Sequence, residues 1–138
     1  MRARVRSPRH RVGALPAGLA GIALVVLAGC GQQPGVSLQA RTQPPLDTTL
    51  TENLIQIYAG IAVEVDTTAL VGGSPAQDGT TVSLTSSNVN VLGADPAPDD
   101  GVFVLYGVTP GTADVHVYMN GEEAGDIPAT VLDQGTLP

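Results

Sequence analysis

From Cys30 onward the chain has one arginine (Arg41), no lysine and no tryptophan, and its whole length of 138 residues holds one cysteine. A single cysteine closes no internal disulfide, so whatever folds here is held by its core alone. All thirteen Asp and Glu residues lie beyond Cys30, and against one arginine they leave a formal charge of −12 on that segment. A surface of that sign repels phosphate backbones, which excludes direct nucleic-acid binding, and keeps a small domain soluble. Aromatic side chains are equally scarce: after residue 30 there are Tyr58, Phe103, Tyr106 and Tyr118. Sugar sites ordinarily stack on such rings, so this is a thin supply. One histidine, His116, follows the cysteine, too few for the three or four His or Cys ligands that zinc takes. The length bounds the fold to one small domain with appendages.

The basic residues that the rest of the chain lacks are gathered at its front. Five arginines fall within "MRARVRSPRHR", and seventeen uncharged residues, Val12–Ala28, follow. Basic, then apolar, then small residues is the order of an export signal. The apolar segment is short for a permanent transmembrane helix, is broken by Pro16 and several glycines, and has no basic stop-transfer cluster behind it. It ends in Leu27-Ala28-Gly29-Cys30, which resembles the lipobox of bacterial lipoproteins. The resemblance implies cleavage between Gly29 and Cys30, and diacylglycerol on the Cys30 thiol. Each buried methylene contributes roughly 0.8 kcal/mol, so two or three acyl chains hold a protein on a membrane effectively permanently. By the same resemblance Gly31, where an inner-membrane retention signal has Asp, favours the outer membrane.

Residues 31–51, "GQQPGVSLQARTQPPLDTTLT", have three prolines and no sustained apolar period, and read as a flexible spacer; a short strand over Val36–Gln39 is the alternative and has no periodic support. From Glu52 the texture changes to period-two alternation. "NLIQIYAG" precedes "IAVEVDTTALV", in which Ile61, Val63 and Val65 alternate with Ala62, Glu64 and Asp66. "TVSLTS" alternates again, "SSNVNVLG" sets Val89 and Val91 together, and "VFVLYGV" is apolar on both faces, as an inner strand is. Further on, Ala113, Val115, Val117 and Met119 point one way while Asp114, His116 and Tyr118 point the other. Asn120-Gly121 suits a tight hairpin turn, and "DIPATVL" is a closing strand whose Pro128 implies an edge or a bulge. About seven short strands with no convincing helix predict an all-β, immunoglobulin-like antiparallel β-sandwich. The expected organisation is a signal peptide at 1–29, the lipidated cysteine and linker at 30–51, the sandwich at 52–132 and a tail at 133–138.

Three stretches, "VSLTSSNVNVL" (Val82–Leu92), "GVTPGTADVHV" (Gly107–Val117) and "IPATV" (Ile127–Val131), together with Gly60 after the first strand, carry a resemblance to the bacterial immunoglobulin-like domain of the group-2 type. That family occurs in intimin- and invasin-like adhesins and other envelope proteins. Leu84 stands where the family often has Trp. The resemblance implies a spacer, scaffold or binding module and no catalytic residues.

Candidate chemistry is sparse. Asp95, Asp99 and Asp100 in "DPAPDDG" offer oxygens of the kind calcium takes. Their spacing departs from the EF-hand pattern, however, and three acids in a solvated loop is the commoner explanation. Asp114, His116 and Tyr118 form the most interesting exposed strip, a candidate ligand surface on the wet face of a sheet. Ser87 with Asp114 and His116 lists the residue types of a nucleophile triad, yet no G-x-S-x-G elbow is present. The expectation is a non-catalytic envelope lipoprotein, bound to the membrane through its lipid and presenting its domain to an envelope or surface protein. The alternative is a carbohydrate- or calcium-dependent adhesive binder. No cofactor is expected, calcium being the one ion with ligands at hand.

Overall fold

The computed structural model describes residues 34–136. They form an all-β sandwich of two sheets. In the first sheet β1 (Pro34–Ala40), β4 (Ala62–Val71), β8 (Val102–Gly107) and β7 (Leu92–Pro96) lie side by side in that order. The short β5 (Ser74–Pro75) pairs with the far end of β4. The second sheet runs β2 (Thr49–Thr51), β3 (Leu54–Tyr58), β10 (Glu122–Leu132), β9 (Gly111–Met119) and β6 (Val82–Ser86). A 3₁₀ turn over Gln134–Thr136 follows.

Alternation explains the layering. Val63 and Val65 of β4, Phe103 and Leu105 of β8 and Leu92 of β7 face inward. They meet Ile55 and Ile57 of β3, Val115 and Val117 of β9, and Ile127, Ala129 and Val131 of β10. Among the described residues no polar or charged residue is buried, so the interior is a dry aliphatic layer of the kind a sandwich core requires. As its sequence implies, β8 is internal, flanked by β4 and β7.

The expected antiparallel pairing has one exception: β3 runs parallel to β10, with Ala129 opposite Ile55 and Leu132 opposite Tyr58. A second departure concerns the spacer. The region expected to be flexible holds β1 and β2, and β1 pairs with β4 along its full length, from Pro34 opposite Val71 to Ala40 opposite Val65. Val36 and Leu38 are buried in the core. Two inward positions amid Pro, Gln and Gly are too few to register as a period, which is why the sequence offers this strand only as an unsupported alternative over Val36–Gln39. The sandwich therefore includes residues well before Glu52, β1 and β2 among them.

A third difference lies at Val89, expected in a strand but 66% exposed. Asn88 organises a turn there: its side-chain oxygen accepts from Asn90 N–H, and its carbonyl accepts from Val91 and Leu92 N–H. Pairing resumes only at Leu92.

Two positions show why particular residues are needed. Asn120 and Gly121 sit at φ of 51° and 82°, the left-handed pair that a two-residue hairpin between β9 and β10 demands. At Gly107 a Cβ would lie 2.4 Å from the Tyr58 carbonyl oxygen. Here the two sheets touch through a bridge between Ala59 and Gly107, and no larger residue fits. Pro128 is opposite Asp114, whose N–H goes to Ser87 Oγ and whose carbonyl accepts from Ser87 N–H. The Pro128 nitrogen thus faces away from β9, at a level where pairing with β3 has not yet begun. A proline costs no ladder bond there.

Leu38→Ala, in the former "linker", is expected to destabilise the domain by about 2–5 kcal/mol in urea unfolding, as for any buried leucine. Val89→Ala is expected to stay within about 0.5 kcal/mol of the parent.

Candidate functional site

The wet face of β9 carries Asp114, His116 and Tyr118, as the alternation implies: Asp114 is exposed and the other two are half-buried. What the sequence does not announce is the contribution of β10. Glu123 pairs with Tyr118, but Gly125 pairs with Val117 and Asp126 with His116, a register shift caused by a bulge at Ala124. Residues three apart on a regular strand face opposite sides. The extra residue brings Glu123 and Asp126 to one side. As a result one atom each from His116, Glu123 and Asp126 lies within 4.8 Å of the others.

The centre of this group is a hydrogen-bonded pair. His116 Nδ1 and Asp126 Oδ1 are 2.5 Å apart. A carboxylate only accepts, so the ring must present Nδ1–H. The bond to Asp126 raises the His116 pKa above its ordinary 6.5, partial burial opposes it, and the charges of Asp126, Glu123 and Asp114 add to the rise. Gly125 in mid-strand is the sequence feature that signals a bulge, and read that way it would have placed Glu123 beside Asp126.

The triad arrangement does not form. Ser87 Oγ accepts from the Asp114 backbone N–H at 2.9 Å, while the imidazole is oriented by Asp126 and not by Asp114.

Nor do Asp95, Asp99 and Asp100 gather around a common point. Asp95 accepts the Tyr106 hydroxyl at 3.0 Å, which raises the tyrosine pKa through that bond and the carboxylate charge. The Tyr106 ring covers Gly93, where a Cβ would fall 1.9 Å from Cζ. Asp99 is 2.7 Å from Arg41, whose guanidinium also binds Asp66 at 3.0 Å and Glu64 at 3.1 Å. The one cation among the described residues, expected in a tether, instead joins the end of β1 to β4 and to the β7–β8 loop. Asp95 and Asp99 thus have partners on different elements, Tyr106 of β8 and Arg41 just beyond β1.

Open depressions of about 520 and 580 Å³ lie at the end of the sandwich where β9 turns into β10. The first is walled by Val71, Pro75, Ala76 and Met119 beside Glu122 and Glu123, the second by Gly72, Gly73, Glu52 and Asp126. Neither holds the full His116 strip. Gly29 and Cys30, the cleavage and lipidation positions, lie outside the described residues. No helix among the described residues is long and apolar enough to cross a membrane.

No protein-family model and no curated protein matches the chain. Among solved structures it is similar to domains 4 and 5 of the S-layer protein SbsC, with a TM-score of 0.48 and 14% identity over 65% of this chain. The chain spans about half of that structure, 54%.

His116 is expected to titrate above 6.5 by NMR, and Asp126→Asn to return it toward that value. Because the folded pKa is raised, the stability this pair adds is fully present below the unfolded value of about 6.5. It is lost as pH rises through the folded value. Gly93→Ala is expected to displace the Tyr106 ring and abolish its bond to Asp95, seen as a fall of the tyrosine pKa toward 10.0.

Proposed function

We propose that this protein is a non-catalytic lipoprotein of the bacterial cell envelope, tethered through diacylglycerol on Cys30, in the outer rather than the inner membrane. Its sandwich serves as a structural or protein-interaction module of the group-2 immunoglobulin-like kind. The observation that carries the reading is Leu27-Ala28-Gly29-Cys30 at the close of an arginine-led apolar run. Small residues before the cysteine let a signal peptidase hold the chain extended near its catalytic groups, and an acylated cysteine needs no disulfide partner. In support of the non-catalytic part, Ser87 Oγ accepts the Asp114 backbone N–H, so the Ser-His-Asp arrangement that the residue types suggest is not assembled.

The test is the intact mass of the protein extracted from membranes of a lipoprotein-processing bacterium. A polypeptide starting at Cys30 and carrying acyl chains is expected, and Cys30→Ser should move it from the membrane to the soluble fraction. An unmodified thiol on a membrane-free chain would sink the proposal.

A further inference from the structure

Three residues, Gly31 to Gln33, separate Cys30 from the first strand. Whatever path they take, four Cα–Cα steps span at most about 14 Å. Lipid attached at Cys30, the anchor proposed above on which this inference rests, therefore holds Pro34 close to the headgroups. The fold then decides which part of the sandwich comes with it.

Pro34 is opposite Val71, at the end of β4. Gly35 shares a depression with Glu52 and Asn53 of the β2–β3 turn and with Gly72 and Gly73 of the β4–β5 turn. Exposed at this end are Leu54 and Val71. The other end of the ten-residue β4 lies about 30 Å away at ~3.3 Å per residue. There Gly107 N–H donates to Ile61 O, Val108 N–H to Val91 O and Gln134 Nε2 to Ala59 O. Val89 and Val108 are the large apolar side chains exposed at that end.

We infer that the sandwich stands end-on at a phospholipid surface, with the β2–β3 and β4–β5 turns against the headgroups and the Val89–Val108 end turned outward. Reach sets this orientation, and attraction does not. The near end carries Glu52, Glu122, Glu123 and Asp126, and Arg41, the one arginine among the described residues, is engaged with Glu64 and Asp66 further along β4. A basic cluster that would bind anionic lipid is not there. The tether is too short to let the domain roll over, so an envelope partner meets the far end and the flanks.

The chain has no tryptophan, so a single introduced one reports its own depth. Val71→Trp and Val89→Trp, both at exposed sites, are prepared as full-length lipidated protein, confirmed by mass, in vesicles of phosphatidylcholine containing brominated phosphatidylcholine. Val71→Trp is expected to be quenched severalfold more than Val89→Trp. A flexible Gly-Ser insert between Gln33 and Pro34, which leaves the sandwich sequence untouched, should remove most of that difference. Equal quenching at the two sites, stronger quenching at Val89→Trp, or no effect of the insert would overturn the orientation while leaving the anchor intact. A mass without acyl chains would overturn the anchor and this inference together. The Cys30→Ser form of Val71→Trp should show no quenching. Quenching of it would mean that the surface itself binds lipid, and would overturn tether length as the cause.

Discussion

Two sheets with no disulfide between them stay together only while every strand keeps its apolar side chains on one face. In this chain the requirement is met almost entirely by aliphatic residues. Ile55, Ile57, Leu92, Leu105, Val65 and Val115 are fully enclosed, each worth roughly 1.5–3 kcal/mol of transfer from water. Phe103 is the aromatic among them. A slip of one residue in any strand would exchange that layer for Glu64, Asp66 or Asp114. The register is pinned by the Asn120-Gly121 turn and by the contact of Gly107 with Tyr58, where side chain would collide with backbone. With no buried polar group among the described residues, the interior asks nothing of hydrogen-bond geometry and tolerates a surface of nearly one sign.

That surface has its own order. Arg41 collects Glu64, Asp66 and Asp99, and these bonds hold its proton still more firmly, the one to Asp99 most of all. His116 takes Asp126, and Tyr106 takes Asp95. Each of these three groups is used on a carboxylate, and exposed pairs of this kind contribute little stability individually. Their effect is to fix loops and the bulge on β10.

How far residues announce their partners depends on the range of the pattern they belong to. Strands with three or more alternating positions, such as Val63-Val65 with Glu64-Asp66 or Ala113 through Met119, declare themselves and the face they bury. Strand β1 does not. Its inward pair Val36 and Leu38 is embedded among residues that equally describe a linker, and only the complementary edge of β4, far along the chain, gives it a role. The same limit separates the acids of the β7–β8 loop. Adjacent in sequence, they diverge because Tyr106 and Arg41 draw them apart, and no local motif records those distant groups. The exposed strip on β9 was readable from period two alone. Its completion by Glu123 and Asp126 depends on one extra residue at Ala124, for which Gly125 is the faint local sign.

The parallel pairing of β3 with β10 sets an order of assembly. In its sheet β3 has only the three-residue β2 for company until residues 129–132 arrive. A chain emerging amino-terminus first thus carries the apolar Leu54–Tyr58 segment without its main neighbour through most of its synthesis, and such distant pairing is intrinsically slow. A topology closed by its final strand cannot lock prematurely.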